Sequence, residues 1–179
     1  MKKTIYSILI IVIIILAIIF FSKGSGEKID LTQFDSTEEI ILDDVVEEYE
    51  IQEAIHIAPG DEHGEYNSNP PSSGWHYASA PSWGTYKNEM PDEAAVHGLE
   101  HGGIWITYNN NASPEEIKLL EKFQKSNAGS TILSPREANN SKIILVSWGN
   151  VLRLDSVNTT AMQEFVDIYK NNSPEPFAR

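Results

Sequence analysis

The stretch Ile143-Ile144-Leu145-Val146-Ser147-Trp148-Gly149-Asn150-Val151-Leu152-Arg153-Leu154-Asp155 decides the fold class of this chain. Two short aliphatic and β-branched runs flank Gly149-Asn150, a pair suited to a two-residue turn, so Ile143–Trp148 and Val151–Asp155 read as a β-hairpin. Upstream, Thr131–Leu133 reads as a short strand and Ile104–Tyr108 as a longer one. Between them, Ser113-Pro114-Glu115-Glu116 has the form of a capping box with proline at the first helical position. The helix it opens carries Ile117, Leu120 and Phe123 as an apolar stripe and stops at Asn127–Gly129. Downstream, Asn158 or Thr159 caps a last helix in which Met162, Phe165, Val166 and Tyr169 fall at helical spacing. The order β-α-β-β-β-α predicts an α+β domain, a small antiparallel sheet with helices packed to one side.

Outward from this half, the chain changes character. Residues 58–90 are rich in Pro, Gly, Ser, Asn and aromatic side chains, a long loop region of the kind that carries function or is held by something. Residues 22–53 read as an acidic stalk, and residues 173–179 as a C-terminal tail. Thr4–Phe21 is an uncharged run of eighteen residues, about 27 Å long as a helix, enough to span a bilayer. No A-x-A-like cleavage site follows it, so it is expected to stay as a single transmembrane helix. Lys2 and Lys3 place residues 1–3 in the cytoplasm, and the domain of residues 54–172 outside the cell membrane. The lipid bilayer is thus one expected partner.

Composition narrows the chemistry. The chain has no cysteine, which excludes disulfides, thiolate metal sites and thiol enzymes, and leaves the fold to a hydrophobic core. Beyond residue 21 stand 26 acidic against 11 basic side chains, and Asp30–Tyr86 contains thirteen acids and no Lys or Arg. Such a surface repels phosphate backbones, so nucleic acid is not an expected partner, and it attracts cations.

All five histidines, His56, His63, His76, His97 and His101, lie in or beside the loop-rich region. Histidine is the natural ligand for copper or zinc in a cysteine-free protein. In His97-Gly98-Leu99-Glu100-His101, a helix would put both imidazoles on one face about 6 Å apart in rise, within reach of one ion, whereas a strand would separate them by about 13 Å. Asp92 can cap that helix and Gly102 can end it, although Gly98 weakens it. The same five residues match H-x-x-E-H, the inverted zinc-protease pattern with glutamate as general base. Glu100 also suits a simpler role, orienting a neighbouring histidine. Upstream, Tyr66-Asn67-Ser68-Asn69-Pro70-Pro71-Ser72-Ser73-Gly74-Trp75-His76-Tyr77 presents His76 between two aromatics on a proline-stiffened loop.

With His56-Ile57, Gly84-Thr85-Tyr86, Val96–Ile106 and Ser147-Trp148-Gly149, these motifs make residues 56–169 resemble the domain-of-unknown-function family 3105, exported or membrane-anchored prokaryotic domains. Ser72 stands where that family usually has Thr, and Trp75 where it often has Pro. The resemblance implies that His56, His76, His97 and His101 are the family's histidines and that His63 is not; it implies no activity. Three functions follow as expectations. One is a non-catalytic domain holding copper or zinc through those four histidines, with Glu100, Met90 and Tyr66 as supporting or alternative groups. Met90 tilts the choice toward copper, but imidazoles alone do not separate the two metals. Another is an interaction module gripping a protein or glycan with Trp75, Tyr77, Trp83 and Tyr86. The third is a zinc hydrolase built on His97, Glu100 and His101.

Overall fold

In the computed structural model, which describes residues 29–176 and 178, a 3-10 turn at Leu31–Phe34 precedes twelve elements. They are α1 (Leu42–Val45), β1 (Val46–Glu48), β2 (Ile55–Ile57), β3 (Trp75–Tyr77), β4 (Gly84–Thr85), α2 (Asp92–Glu100), β5 (Ile104–Tyr108), α3 (Pro114–Ser126), β6 (Thr131–Pro135), β7 (Ile143–Ser147), β8 (Asn150–Leu154) and α4 (Thr159–Tyr169). The run of residues 4–21, expected to be a transmembrane helix, lies outside the described residues. Among the described residues no helix is long and apolar enough to cross a membrane.

The α+β class holds, and the locally encoded elements form where their signals lie. Ser113 accepts from the Glu116 backbone N–H while the Glu116 carboxylate accepts from Ser113, the reciprocal box expected at the start of α3. Asn158 caps α4 through the Ala161 N–H. The β7–β8 hairpin turns one residue earlier than expected, on Trp148 and Gly149, with Ser147 paired to Asn150 and Gly149 at φ +80°.

The sheet itself corrects the antiparallel expectation. It is mixed, in the order β1-β8-β7-β5-β6-β4, with β5–β6 and β6–β4 parallel and the other pairs antiparallel. A hairpin reverses the chain, but α3 carries it back along the sheet, so β6 must run beside β5 in the same sense. Helices also cover both faces rather than one. Ile104, Ile106, Leu145 and Leu152 pack against α3 and α4, while Trp105, Ile132, Ile144 and Val146 pack against Ala95, Val96 and Leu99 of α2. Burial on both faces is why Ile143–Val146 is apolar throughout instead of alternating.

The stretch 22–53, expected as a stalk, in part joins the fold. Leu42 is buried in the first core cluster, β1 pairs with β8, and Glu47 holds Arg153 at 2.9 Å. An edge strand needs an apolar face on one side only, so its acids remain in solvent and mimic a linker.

Two glycines set α2 where the site needs it. A Cβ on Gly98 would meet Ile132 Cδ1 at 2.7 Å, so the residue that weakens the helix also lets it lie close on the sheet. Asp92 does not cap α2; Pro91 holds the cap position and the Asp92 carboxylate pairs with Arg136 at 2.8 Å. Gly102 ends the helix at φ +78°, with its N–H on the Leu99 carbonyl. A Cβ there would stand 2.8 Å from Asn171 Cα, so Gly102→Ala combines a left-handed backbone with a main-chain clash. Urea unfolding of that variant is expected to show a loss of about 1–3 kcal/mol, and an unchanged midpoint would contradict this account of the turn.

Candidate metal centre

Two separate pieces of backbone bring the histidines together. On α2, helical spacing puts His97 one turn from His101, the residue just past the helix end, and their Nε2 atoms lie 3.0 Å apart. Away from the main sheet, β2 and β3 form a parallel two-stranded ribbon in which His56 pairs directly with His76. Paired residues point their side chains to the same face, and β3 packs on α2. The imidazole centroids of His56 and His76 are 4.7 Å apart, those of His76 and His97 5.0 Å, and those of His56 and His97 5.2 Å.

Ligand atoms of His56, His76, His97 and Glu100 all lie within 4.8 Å of one another, so this group can hold a metal ion. His101 falls instead into an adjoining group with Glu100 and Glu175. Of the four histidines named from sequence, three thus share the first group with an oxygen of Glu100, and the fourth falls into the adjoining one. Glu175, in the segment expected to be a tail, carries no sequence signal of such a position.

The proton on two of these rings is fixed by the backbone. His76 Nδ1 lies 2.8 Å from the Gly74 carbonyl, and His97 Nδ1 donates to the Tyr77 carbonyl. A carbonyl only accepts, so Nδ1 bears the hydrogen in each ring and Nε2 presents a lone pair. His76 is fully buried, and its Nε2 makes no hydrogen bond among the described residues. That atom stands 3.0 Å from Oε2 of Glu100, a side chain only 5% exposed. Among the described residues, the ion-pair contacts of Glu100 are with His76 and, at 3.8 Å, His56. Two acceptors face each other in a space with little water, an arrangement that a cation between them would resolve. Burial holds the His76 pKa below the ordinary histidine value, and burial followed by the neighbouring His97 does the same for His101. Both rings therefore favour the neutral, ligating form.

The surrounding residues brace this geometry. Tyr66, whose phenol is pushed up by burial, donates to the Trp75 carbonyl at 2.6 Å and steadies β3. Gly74 takes φ +108°, which turns its carbonyl toward His76. The Gly149 N–H donates to Ser72, and the Trp148 ring meets His76 edge-on at 6.4 Å, so the β7–β8 turn supports the loop that carries His76. His63 is committed elsewhere, 3.2 Å from Glu93 and stacked on Trp75. Met90 is half-buried and packs against the second core cluster with Trp83 and Tyr86. Trp75 and Tyr77 are half-buried, as are Trp83 and Tyr86.

A family model described as protein of unknown function (DUF3105) matches residues 57–179, a span that begins one residue past His56 and includes His76, His97, Glu100, His101 and Glu175. The chain belongs to this family. No curated protein and no solved structure matches it.

The DUF3105 chain carries a pH dependence that follows from its buried rings. For His76 and His101 the folded pKa lies below the unfolded value of about 6.5, so on acidification the unfolded chain takes up protons first. Their contribution to stability is complete above that value and is lost as pH falls from it toward the lower folded values. Urea unfolding of the metal-stripped protein between about pH 7.5 and pH 5 is expected to show falling stability. His76→Gln should flatten the slope, and an identical slope in the variant would contradict the assignment.

Proposed function

We propose that this domain binds zinc or copper(II) through His56, His76, His97 and Glu100, without catalysis, on the outer side of a membrane to which residues 4–21 anchor it. The observation that carries the proposal is the buried, unbonded Nε2 of His76 facing the Glu100 carboxylate inside the four-residue group. Each imidazole anchored at Nδ1 on a backbone carbonyl has the orientation seen in metal-ligating histidines, where the second nitrogen is held so that the first can bind.

The donor set narrows the ion. Three nitrogens and one oxygen suit a borderline divalent ion, and a four-residue group without sulfur, in a chain without cysteine, disfavours soft copper(I). Glu100 lies among the ligand atoms rather than beside them, which favours a donor over the free base that a hydrolase requires. His56 is the exposed member and borders a surface depression lined by Ile57, Pro59 and Tyr77, a route for an incoming ion. The excess of acidic side chains raises the local cation concentration. Support for the location is the apolar run of residues 4–21 behind Lys2 and Lys3.

Full-length protein in detergent, stripped by chelator and titrated with zinc and copper(II), is expected to bind with Kd below about 1 μM. His76→Ala should weaken that by at least the roughly 10–100-fold seen when mere outer partners of a metal are removed. Absence of binding would leave these histidines as structural hydrogen-bonding groups. Protease added to intact cells is expected to remove the domain, and protection from it would overturn the location.

A further inference from the structure

We infer that Glu100, His101 and Glu175 form a second metal position beside the first, so that the domain holds two ions bridged by the Glu100 carboxylate. The inference rests on the metal-binding reading above and extends it to the C-terminal segment. Ligand atoms of these three residues again lie within 4.8 Å of one another, and Glu100 is common to both groups.

The backbone builds this second position deliberately. Asn171 donates its N–H to the Gly102 carbonyl at 3.0 Å, and Glu175 donates its N–H to the carbonyl of Glu100 itself at 3.1 Å. These bonds lay residues 171–175 across the end of α2 and set Glu175 Oε2 3.7 Å from His101 Nε2. His101 is placed for an ion of its own, since it groups with the two glutamates and not with His56 and His76.

The charge on Glu100 points the same way. Its carboxylate is almost wholly buried, and among the described residues no Lys or Arg is within ion-pair distance to balance it. A carboxylate has two oxygens, and one that bridges two ions holds them about 3.5–4 Å apart. His97 Nε2 accepts a hydrogen bond from His101 Nε2 at 3.0 Å, and an ion on each ring would replace that bond while keeping the imidazoles side by side. Glu175 adds the negative charge that a second cation needs next to the first.

The test is stoichiometry. Full-length, metal-stripped protein titrated with zinc by calorimetry, with elemental analysis after desalting, is expected to take up two ions per chain. Glu175→Gln alters a side chain 56% exposed and should leave the fold intact while reducing the count to one. His101→Gln should do the same. Titrated with cobalt(II), the wild-type protein should gain an EPR signal to one equivalent and lose it toward two as the bridged pair couples. One ion per chain, unaffected by Glu175→Gln and His101→Gln, would overturn the second position and leave the first standing. One ion whose affinity falls in His101→Gln would assign His101 to the first site and overturn the pair. Two ions with additive cobalt signals would overturn the bridge, and no ion at all would overturn both proposals together.

Discussion

His76 Nε2 and Glu100 Oε2 face each other at 3.0 Å inside the protein, and much of the fold serves to hold them there. Neither atom can relieve the other while the Nδ1 hydrogen of His76 is engaged by the Gly74 carbonyl. A proton shared between them would do so, but burial favours the neutral ring. A metal ion would satisfy both acceptors at once, with ligand atoms of His56 and His97 also in reach.

The architecture explains how such a contact survives. Glu100 sits in the last turn of α2, and that helix is pressed onto one face of the sheet by Ala95, Val96 and Leu99. Gly98 permits the close approach, and moving the helix outward would strip Leu99 and Val96 from Trp105, Ile132 and Ile144. His76 is fixed from the other direction by β2, by Tyr66 and by the β7–β8 turn. The site helix and the β2–β3 ribbon, packed on each other, therefore meet at the acceptor pair. Large-scale rearrangement would require breaking apolar contacts worth far more than the local repulsion.

How much of this was legible in the sequence divides along the range of the interactions. The capping box at Ser113, the hairpin around Gly149 and the helical pairing of His97 with His101 are encoded within a few residues, and they form. The parallel alignment of β5 with β6 and the pairing of β1 with β8 depend on partners far along the chain, which no local period announces. The same is true in the site. Nothing in the sequence sets His56 opposite His76, or lays Glu175 beside His101. Glu100 was legible as a carboxylate near a histidine, but whether it meets an N–H or a lone pair is decided by the distant Gly74 carbonyl, which takes the His76 hydrogen.

Exposure is distributed unevenly around the group, and this bears on how an ion would come and go. His56 has a side chain 55% exposed, while His76, His97 and Glu100 are buried. On the proposed reading, an arriving hydrated ion meets His56 first and sheds water in steps as the buried donors replace it. The buried donors are preorganised, so little is lost in ordering them, and tight binding can follow from modest contacts. On the same reading, release would begin at His56, the ligand of the group with the exposed side chain. Such a site would suit capture and exchange at the surface better than permanent burial of a structural ion, since one of its ligands stays on the solvent side.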